Sequence, residues 1–170
     1  MSEHSHYRGR FLEFLQRDRW EFVRRTNASA VVAIAALTLA DEVILIEQER
    51  PTLGAAGQRV LELPAGLVGD DGNHDLLIAA QRELEEETGY RAAELRYIGA
   101  GPSSAGVTDE IISLVRATGC ERVAEGGGVE GEDIQTHLVP RSEVRDWVAA
   151  RSAEGMLVDP KVWAGLYVIG

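Results

Sequence analysis

Between His74 and Thr88 the sequence HDLLIAAQRELEEET sets Leu77, Ala80 and Leu84 at the spacing of one helical stripe, and Gly89 follows as a C-terminal stop. Asn73 is the expected N-cap. On such a helix Glu83 and Glu87 are one turn apart and Glu86 lies beside them, so these carboxylates share an edge while Glu85 points elsewhere. Like charges that close repel, and a divalent cation among them relieves the repulsion, since carboxylate oxygens are the ligands Mg²⁺ prefers. Arg82, one turn before Glu86, can hold it by an ion pair. A run of acids on a helix is more often a solvated face. Here an apolar stripe binds the helix to a domain, LELPAG supplies a tight turn just before it, and a glycine ends it directly after the acids.

The rest of the chain reads as the scaffold for that helix. SAVVAIAALTL and VILIEQ, separated by Ala40-Asp41-Glu42, are rich in β-branched residues and lack helical spacing, which predicts two buried strands. RVLELPAG reads as a short strand ending at Pro64 and Gly66, LVGDDGN as a turn, and ERPTLGAAGQ as a loop. LRYIGAG, EIISLVRAT and IQTHLVP are further strands, and GCERVAEGGGVEGED reads as a long, flexible, acidic linker. Ser142 can cap a helix carrying Val144, Trp147 and Val148, and Asp159-Pro160 opens a final helix. The opening FLEFLQRDRWEFVRR suggests a hairpin whose pairing partner is not evident. Strands interspersed with helices predict an α/β fold, a mixed sheet packed between helices.

Composition bounds what such a domain does. At 170 residues, 45% hydrophobic, the chain suits one domain with its own core. A net charge of −11 argues against nucleic acid as partner, because phosphate-backbone surfaces carry clustered Lys and Arg. An acidic protein binds an anionic small molecule when a metal ion and a few placed arginines reverse the field locally. Cys120 is the single cysteine and reads as a small buried residue. The first ten residues have no apolar signal core and no stretch is long enough to span a membrane, so the expected setting is cytoplasmic.

Arg82-Glu83-Leu84-Glu85-Glu86-Glu87-Thr88-Gly89-Tyr90 resembles the second half of the Nudix signature, G-x5-E-x7-R-E-U-x-E-E-x-G-U with U apolar. The first half departs: His74 stands where the signature has glutamate, and Gly66 lies two residues too far upstream, as a two-residue insertion within LVGDDGN would produce. The resemblance implies a Nudix fold and Mg²⁺ as cofactor, with Mn²⁺ the alternative. It assigns Glu83, Glu86, Glu87, Glu132 and the carbonyl of Ala65 as metal ligands, with Arg82 and Glu86 part of the catalytic cluster.

Trp20-Glu21-Phe22-Val23-Arg24-Arg25, Leu45 to Arg50, Glu62 to Gly66, Glu132-Asp133-Ile134 and Val158 to Lys161 resemble the ADP-ribose pyrophosphatase branch. That likeness implies a homodimer with the strands of residues 1–26 exchanged ahead of a catalytic domain at 27–170. It further implies base contacts from Trp20 and Glu21, with a core position the even alternative for Trp20, and a phosphate or ribose contact from Arg50. Glu130-Gly131-Glu132-Asp133-Ile134 is similar to the Glu-x-Glu-Asp-Ile of bacterial members, which makes Glu130 the expected general base; Glu110, on the other loop facing the substrate, is the alternative. Where ADP-ribose enzymes carry Ser-Pro-Gly, this chain reads Ser104-Ala105-Gly106. The expected substrate is a nucleoside diphosphate sugar, ADP-ribose first. ADP-glucose, GDP-mannose or a dinucleotide stand behind it, and a non-catalytic nucleotide-sugar sensor is the alternative outside the enzymes.

Overall fold

The computed structural model describes residues 2–54, 58–129 and 131–170. The two apolar runs form β4 (Ala30–Thr38) and β5 (Glu42–Glu49), in which every side chain from Val32 to Leu37 and from Val43 to Ile46 is buried. A strand buried on both faces belongs inside a sheet covered on both sides. The strands that follow are β6 (Arg59–Glu62), β7 (Ala65–Val68), β8 (Tyr90–Arg91), β9 (Glu94–Pro102), β10 (Ile111–Arg122), β11 (Ile134–Pro140) and β12 (Leu157–Val158). Together they form one mixed sheet along the path β12-β6-β5-β4-β10-β8, with β11 on β5, β7 on β4 and β9 on β10. The β4–β10 and β6–β12 pairs are parallel.

Helix α1 (Leu76–Thr88) covers one face, while α2 (Val144–Ala153) and α3 (Pro160–Ile169) cover the other. Val32, Ile34 and Ala36 of β4 pack with Ala80 and Leu84 of α1. Ala33, Ala35 and Leu37 turn the opposite way, onto Val148 of α2 and Val162 and Leu166 of α3. The expected sandwich is therefore built around one strand whose alternate side chains feed two cores. Cys120 is buried, as expected of a small apolar residue. No helix among the described residues is long and apolar enough to cross a membrane.

Several local expectations are corrected. The N-cap of α1 is Asp75 rather than Asn73: its carboxylate accepts the N–H groups of Leu77 and Ile78 at 2.9 and 3.1 Å. The buried stripe also differs, since Leu77 is 37% exposed while Ala79, Ala80, Glu83, Leu84 and Glu87 point inward. Two stripes share Ala80 and Leu84, so spacing cannot choose between them; packing on β4 and β7 does. Strand β7 occupies a segment that reads as a turn, because backbone pairing along β4 (Val32↔Gly66, Ala33↔Ala65) overrides the low strand propensity of Ala65 and Gly66. Ser142 does not cap α2. Its N-cap is Glu143, whose N–H donates to the Pro140 carbonyl in a backbone turn, with no side-chain cap. Asp159 caps α3 as expected.

The supposed flexible linker is the largest correction. β10 runs on to Arg122, paired with β8, and the following loop docks on the end of α1. The N–H groups of Gly127 and Gly128 donate to the carbonyls of Glu87 and Glu86, each at 2.9 Å, satisfying acceptors that a helix C-terminus leaves open. A Cβ on Gly126, which has φ +73°, would lie 2.4 Å from the Thr88 carbonyl carbon. Gly126 permits this close approach.

The N-terminal extension is a three-stranded sheet rather than a hairpin. The hairpin of β2 (Leu12–Arg17) and β3 (Trp20–Arg25) finds its partner in β1 (Glu3–Arg8), and every β1 residue is exposed. Nothing in EHSHYR alternates apolar with polar; its pairing is reinforced by ion pairs of Glu3 with Arg17 and Arg24, both at 2.7 Å.

Candidate active site

The acidic edge of α1 lies against the turn between β6 and β7. Leu63 and Pro64 bring the chain round so that β7 presents its backbone to the helix. The Glu87 carboxylate accepts the Ala65 N–H at 2.9 Å, and Glu83 accepts the Leu67 N–H at 3.2 Å. Gly66 sits between them, and a Cβ there would fall 1.8 Å from the Glu83 carboxyl carbon, so only glycine lets the helix this close.

Arg82 ties the edge together. It donates to Glu86 at 3.1 Å and to the Leu67 carbonyl at 3.1 Å, and it ion-pairs with Glu83 at 2.8 Å. It also reaches Asp70 at 3.0 Å. Asp70 therefore places the acidic turn, where this chain is two residues longer than the signature, directly on Arg82. His74 contacts Ser29 at 3.1 Å instead of joining the acids. Glu85 pairs with Arg91, away from the edge.

Burial pushes the Glu83 carboxyl up to about 7; Glu86 and Asp70 add to the rise and Arg82 opposes it. Burial likewise pushes Glu87 up to about 8, with Glu83 and Glu132 adding and the Ala65 N–H and Arg50 opposing. Glu132 and Arg50 are thus both within electrostatic reach of Glu87. Arg50 is held by Glu62, its Nε donating at 2.9 Å, and Glu62 also accepts from Gln48 at 2.9 Å. The docked loop holds Glu132 in place, since its carboxylate accepts the Val129 N–H at 2.9 Å. At the loop's far end Arg59 bonds both Asp133, at 2.9 Å, and the buried Glu47, at 2.7 Å. Sequence reasoning passed over Glu62, Asp70 and Arg59 as site residues, and contacts spanning twelve or more positions leave no periodic signal by which to find them.

Among the described residues no three carboxylate, imidazole or thiol groups converge as a ready metal cage. Glu83 and Glu87 rest on backbone N–H groups and Glu86 turns to Arg82. The donor chemistry nonetheless suits a hard divalent cation: the groups are oxygens, and two of the carboxylates are buried so deeply that they resist carrying their charge without one.

The remaining expected residues fall elsewhere. Trp20 is 61% exposed, which rules out the core alternative, and with Glu21 it lines a cleft of about 520 Å³ against Ala105 and Gly106. Glu110 pairs with Arg25 of β3 at 2.9 Å, at the junction of the N-terminal sheet and β10, and not with the acids of α1. Glu130 lies outside the described residues. A cleft of about 560 Å³ between β9 and α3 is on the sheet face opposite α1 and does not contain these acids.

The chain is 33% identical over 119 residues to a methanol dehydrogenase activator of Bacillus methanolicus, covering 70% of this chain and 60% of that one. It is 32% identical over 160 residues to an ADP-sugar pyrophosphatase of Mus musculus, covering 85% of this chain and 71% of that one. The chain thus spans well under the full length of either relative. A crystal structure of an ADP compounds hydrolase shares the fold with TM-score 0.67 and 21% identity, over 88% of this chain and 81% of that one. The model of the NUDIX domain matches residues 27–159, covering β4 through β12 and ending at the N-cap of α3, and the chain belongs to the NUDIX family.

Proposed function

We propose that the chain is a metal-dependent pyrophosphohydrolase of a nucleoside diphosphate sugar, with ADP-ribose, cleaved to AMP and ribose 5-phosphate, the leading substrate. The observation that carries this reading is the burial of Glu83 and Glu87 against the backbone of β7, with Arg50, held by Glu62, within electrostatic reach of Glu87. Acids alone would repel a pyrophosphate; acids that hold a cation, next to an arginine, attract one.

Mg²⁺, or Mn²⁺ in its place, would be held by Glu83, Glu86, Glu87, Glu132 and the Ala65 carbonyl. When bound, it neutralises phosphate charge and makes water more acidic. Arg82 keeps Glu83 and Glu86 oriented, and Arg50, fixed by Glu62, steadies the anionic substrate. In the hydrolysis a water oxygen bonds to phosphorus as the bridging P–O bond breaks, leaving two phosphate monoesters. The water's proton passes to a carboxylate, for which the resemblance favours Glu130, with Glu110 in reserve. Glu110 is weakened in that role by its ion pair with Arg25.

Trp20 and Glu21 are assigned to the base, supported by their cleft against Ala105 and Gly106. Residues 1–26 are read as exchanged strands of a homodimer, supported by the exposed Tyr7 and Trp20 on the N-terminal sheet and Phe11 in its β1–β2 connection. Light scattering should then report twice the chain mass, and removal of residues 1–26 should yield a monomer. The Ala105 departure from Ser-Pro-Gly favours keeping another nucleotide sugar as the second reading.

The deciding experiment is turnover of a panel of ADP-ribose, ADP-glucose, GDP-mannose and dinucleotides with Mg²⁺, with product identification. AMP and ribose 5-phosphate from ADP-ribose are expected. Release of intact nucleoside diphosphate would move the cleaved bond, and no turnover on any member would favour a sensor.

A further inference from the structure

The sheet face opposite α1 carries a charge arrangement that the hydrolytic reading does not use. Arg96 of β9 and Arg116 of β10 are direct cross-strand partners, and Thr118 faces Glu94 two pairs further along, on the same face. Arg116 also pairs with Ala35 of β4, whose side chain belongs to the core beneath α2 and α3, which fixes the arginines on that face. Two like charges directly opposite each other destabilise a strand pair. In a protein of net charge −11, carboxylates are plentiful, yet neither arginine has an ion pair or hydrogen bond among the described residues. Arg116 Nε is buried and without an acceptor. A buried guanidinium donor left in this state costs stability unless something supplies the missing acceptor.

Glu94, Arg96, Arg116 and Thr118 line a small cleft of about 240 Å³. Two arginines less one glutamate leave the lining with a formal charge of +1. Planar guanidinium groups with a neighbouring hydroxyl match the oxygens of a phosphate group, which accepts paired N–H bonds. We infer that Arg96 and Arg116 form an oxyanion site for the phosphate group of a small molecule, separate from the acidic edge of α1 and independent of the reaction proposed there.

The test is titration of the full chain with inorganic phosphate by calorimetry, in metal-free, low-chloride buffer, where the α1 acids repel anions. One saturable site is expected. Arg116→Gln and Arg96→Gln should each weaken it by about tenfold or more, the range for a lost charged hydrogen bond. Glu94→Gln should tighten it, and Arg50→Ala should leave it unchanged. Phosphate should raise the melting temperature of the wild type and not of Arg116→Gln, which without phosphate should melt no lower because a like-charge contact is gone. Should Arg116→Gln fail to fold, Arg96→Gln decides alone. The inference is overturned by absence of saturable binding, by binding that survives both arginine substitutions, or by binding that needs Arg50. It is equally overturned if Arg116→Gln changes self-association while phosphate does not bind, since the partner would then be another protein surface.

Discussion

The acidic edge of α1 and the N-terminal sheet are both rich in charge, but they hold it in opposite ways. At the edge, Glu83 and Glu87 are buried, rest on backbone N–H groups, and titrate far above the ordinary carboxylate range. In the sheet Glu3 is bound by Arg24 and Arg17, and these hydrogen bonds hold its carboxyl down at about 2. One region buries carboxylates whose charge is costly to hold in low dielectric; the other satisfies its charges in water and leaves its aromatic surface open. Charge that is costly to keep belongs to chemistry, whereas exposed ion pairs mainly fix register.

The largest expected effect tests the first half of that contrast. Glu87→Gln should lower turnover roughly a hundredfold or more while the protein stays folded, because losing an anionic oxygen degrades metal-assisted catalysis by several kcal/mol. Near-normal turnover at saturating Mg²⁺ would remove Glu87 from the site.

Gly126→Ala addresses how the edge is joined to its loop. The added Cβ must displace the loop or the end of α1, so stability should fall by about 1–3 kcal/mol and turnover should fall with it. Denaturant unfolding and kinetics on the same preparation would check both. An unaltered protein would mean that the loop is free, and that its glycines serve motion after all.

The two regions should also differ in their response to pH. Glu83 and Glu87 have folded pKa values raised to about 7 and about 8, so the native state binds their protons more tightly than the unfolded chain does. As far as these groups are concerned, stability of the metal-free protein is therefore fully present below about pH 4.5, and it is lost as pH rises through about 7 to 8. Melting curves in chelator should show that decline, Mg²⁺ should reverse it, and Glu87→Gln should flatten it. A metal-free protein whose melting temperature rises steadily to pH 8 would contradict the buried-charge account.

Smaller changes are expected on the exposed side. Arg50→Ala and Trp20→Ala should raise KM by roughly tenfold, within the range of a stacking or phosphate contact, and leave kcat nearly intact. Glu3→Gln should leave the melting temperature within measurement error, since its ion pairs are in solvent. A marked loss there would mean that β1 does more than close a sheet edge.

Legibility followed the same division. The two runs of β4 and β5, the helix of α1, its stop at Gly89 and the shared edge of Glu83 and Glu87 could be read because burial and helical spacing are local properties of the chain. The partner strand β1 could not, since EHSHYR acquires its shape only from residues it meets after folding. Asn73 and Ser142 were reasonable caps by residue type, but Asp75 and the Pro140 turn reached the helix starts first. Gly126 misleads for a related reason: a sequence reports that glycine permits many conformations, and only the packed Thr88 carbonyl shows that one is required there.

What the sequence determined by itself is thus the order of the elements, the two-sided burial of the central strand, and the placing of carboxylates on one edge of a helix, all of which follow from periods of two and near four residues along the backbone. Only the tertiary structure decided that Gly66 brings that edge onto Ala65 and Leu67, that Asp70 meets Arg82, and that Glu62 braces Arg50. These pairings join residues twelve or more positions apart, and their energies depend on distance and dielectric, neither of which exists until the chain has closed around them.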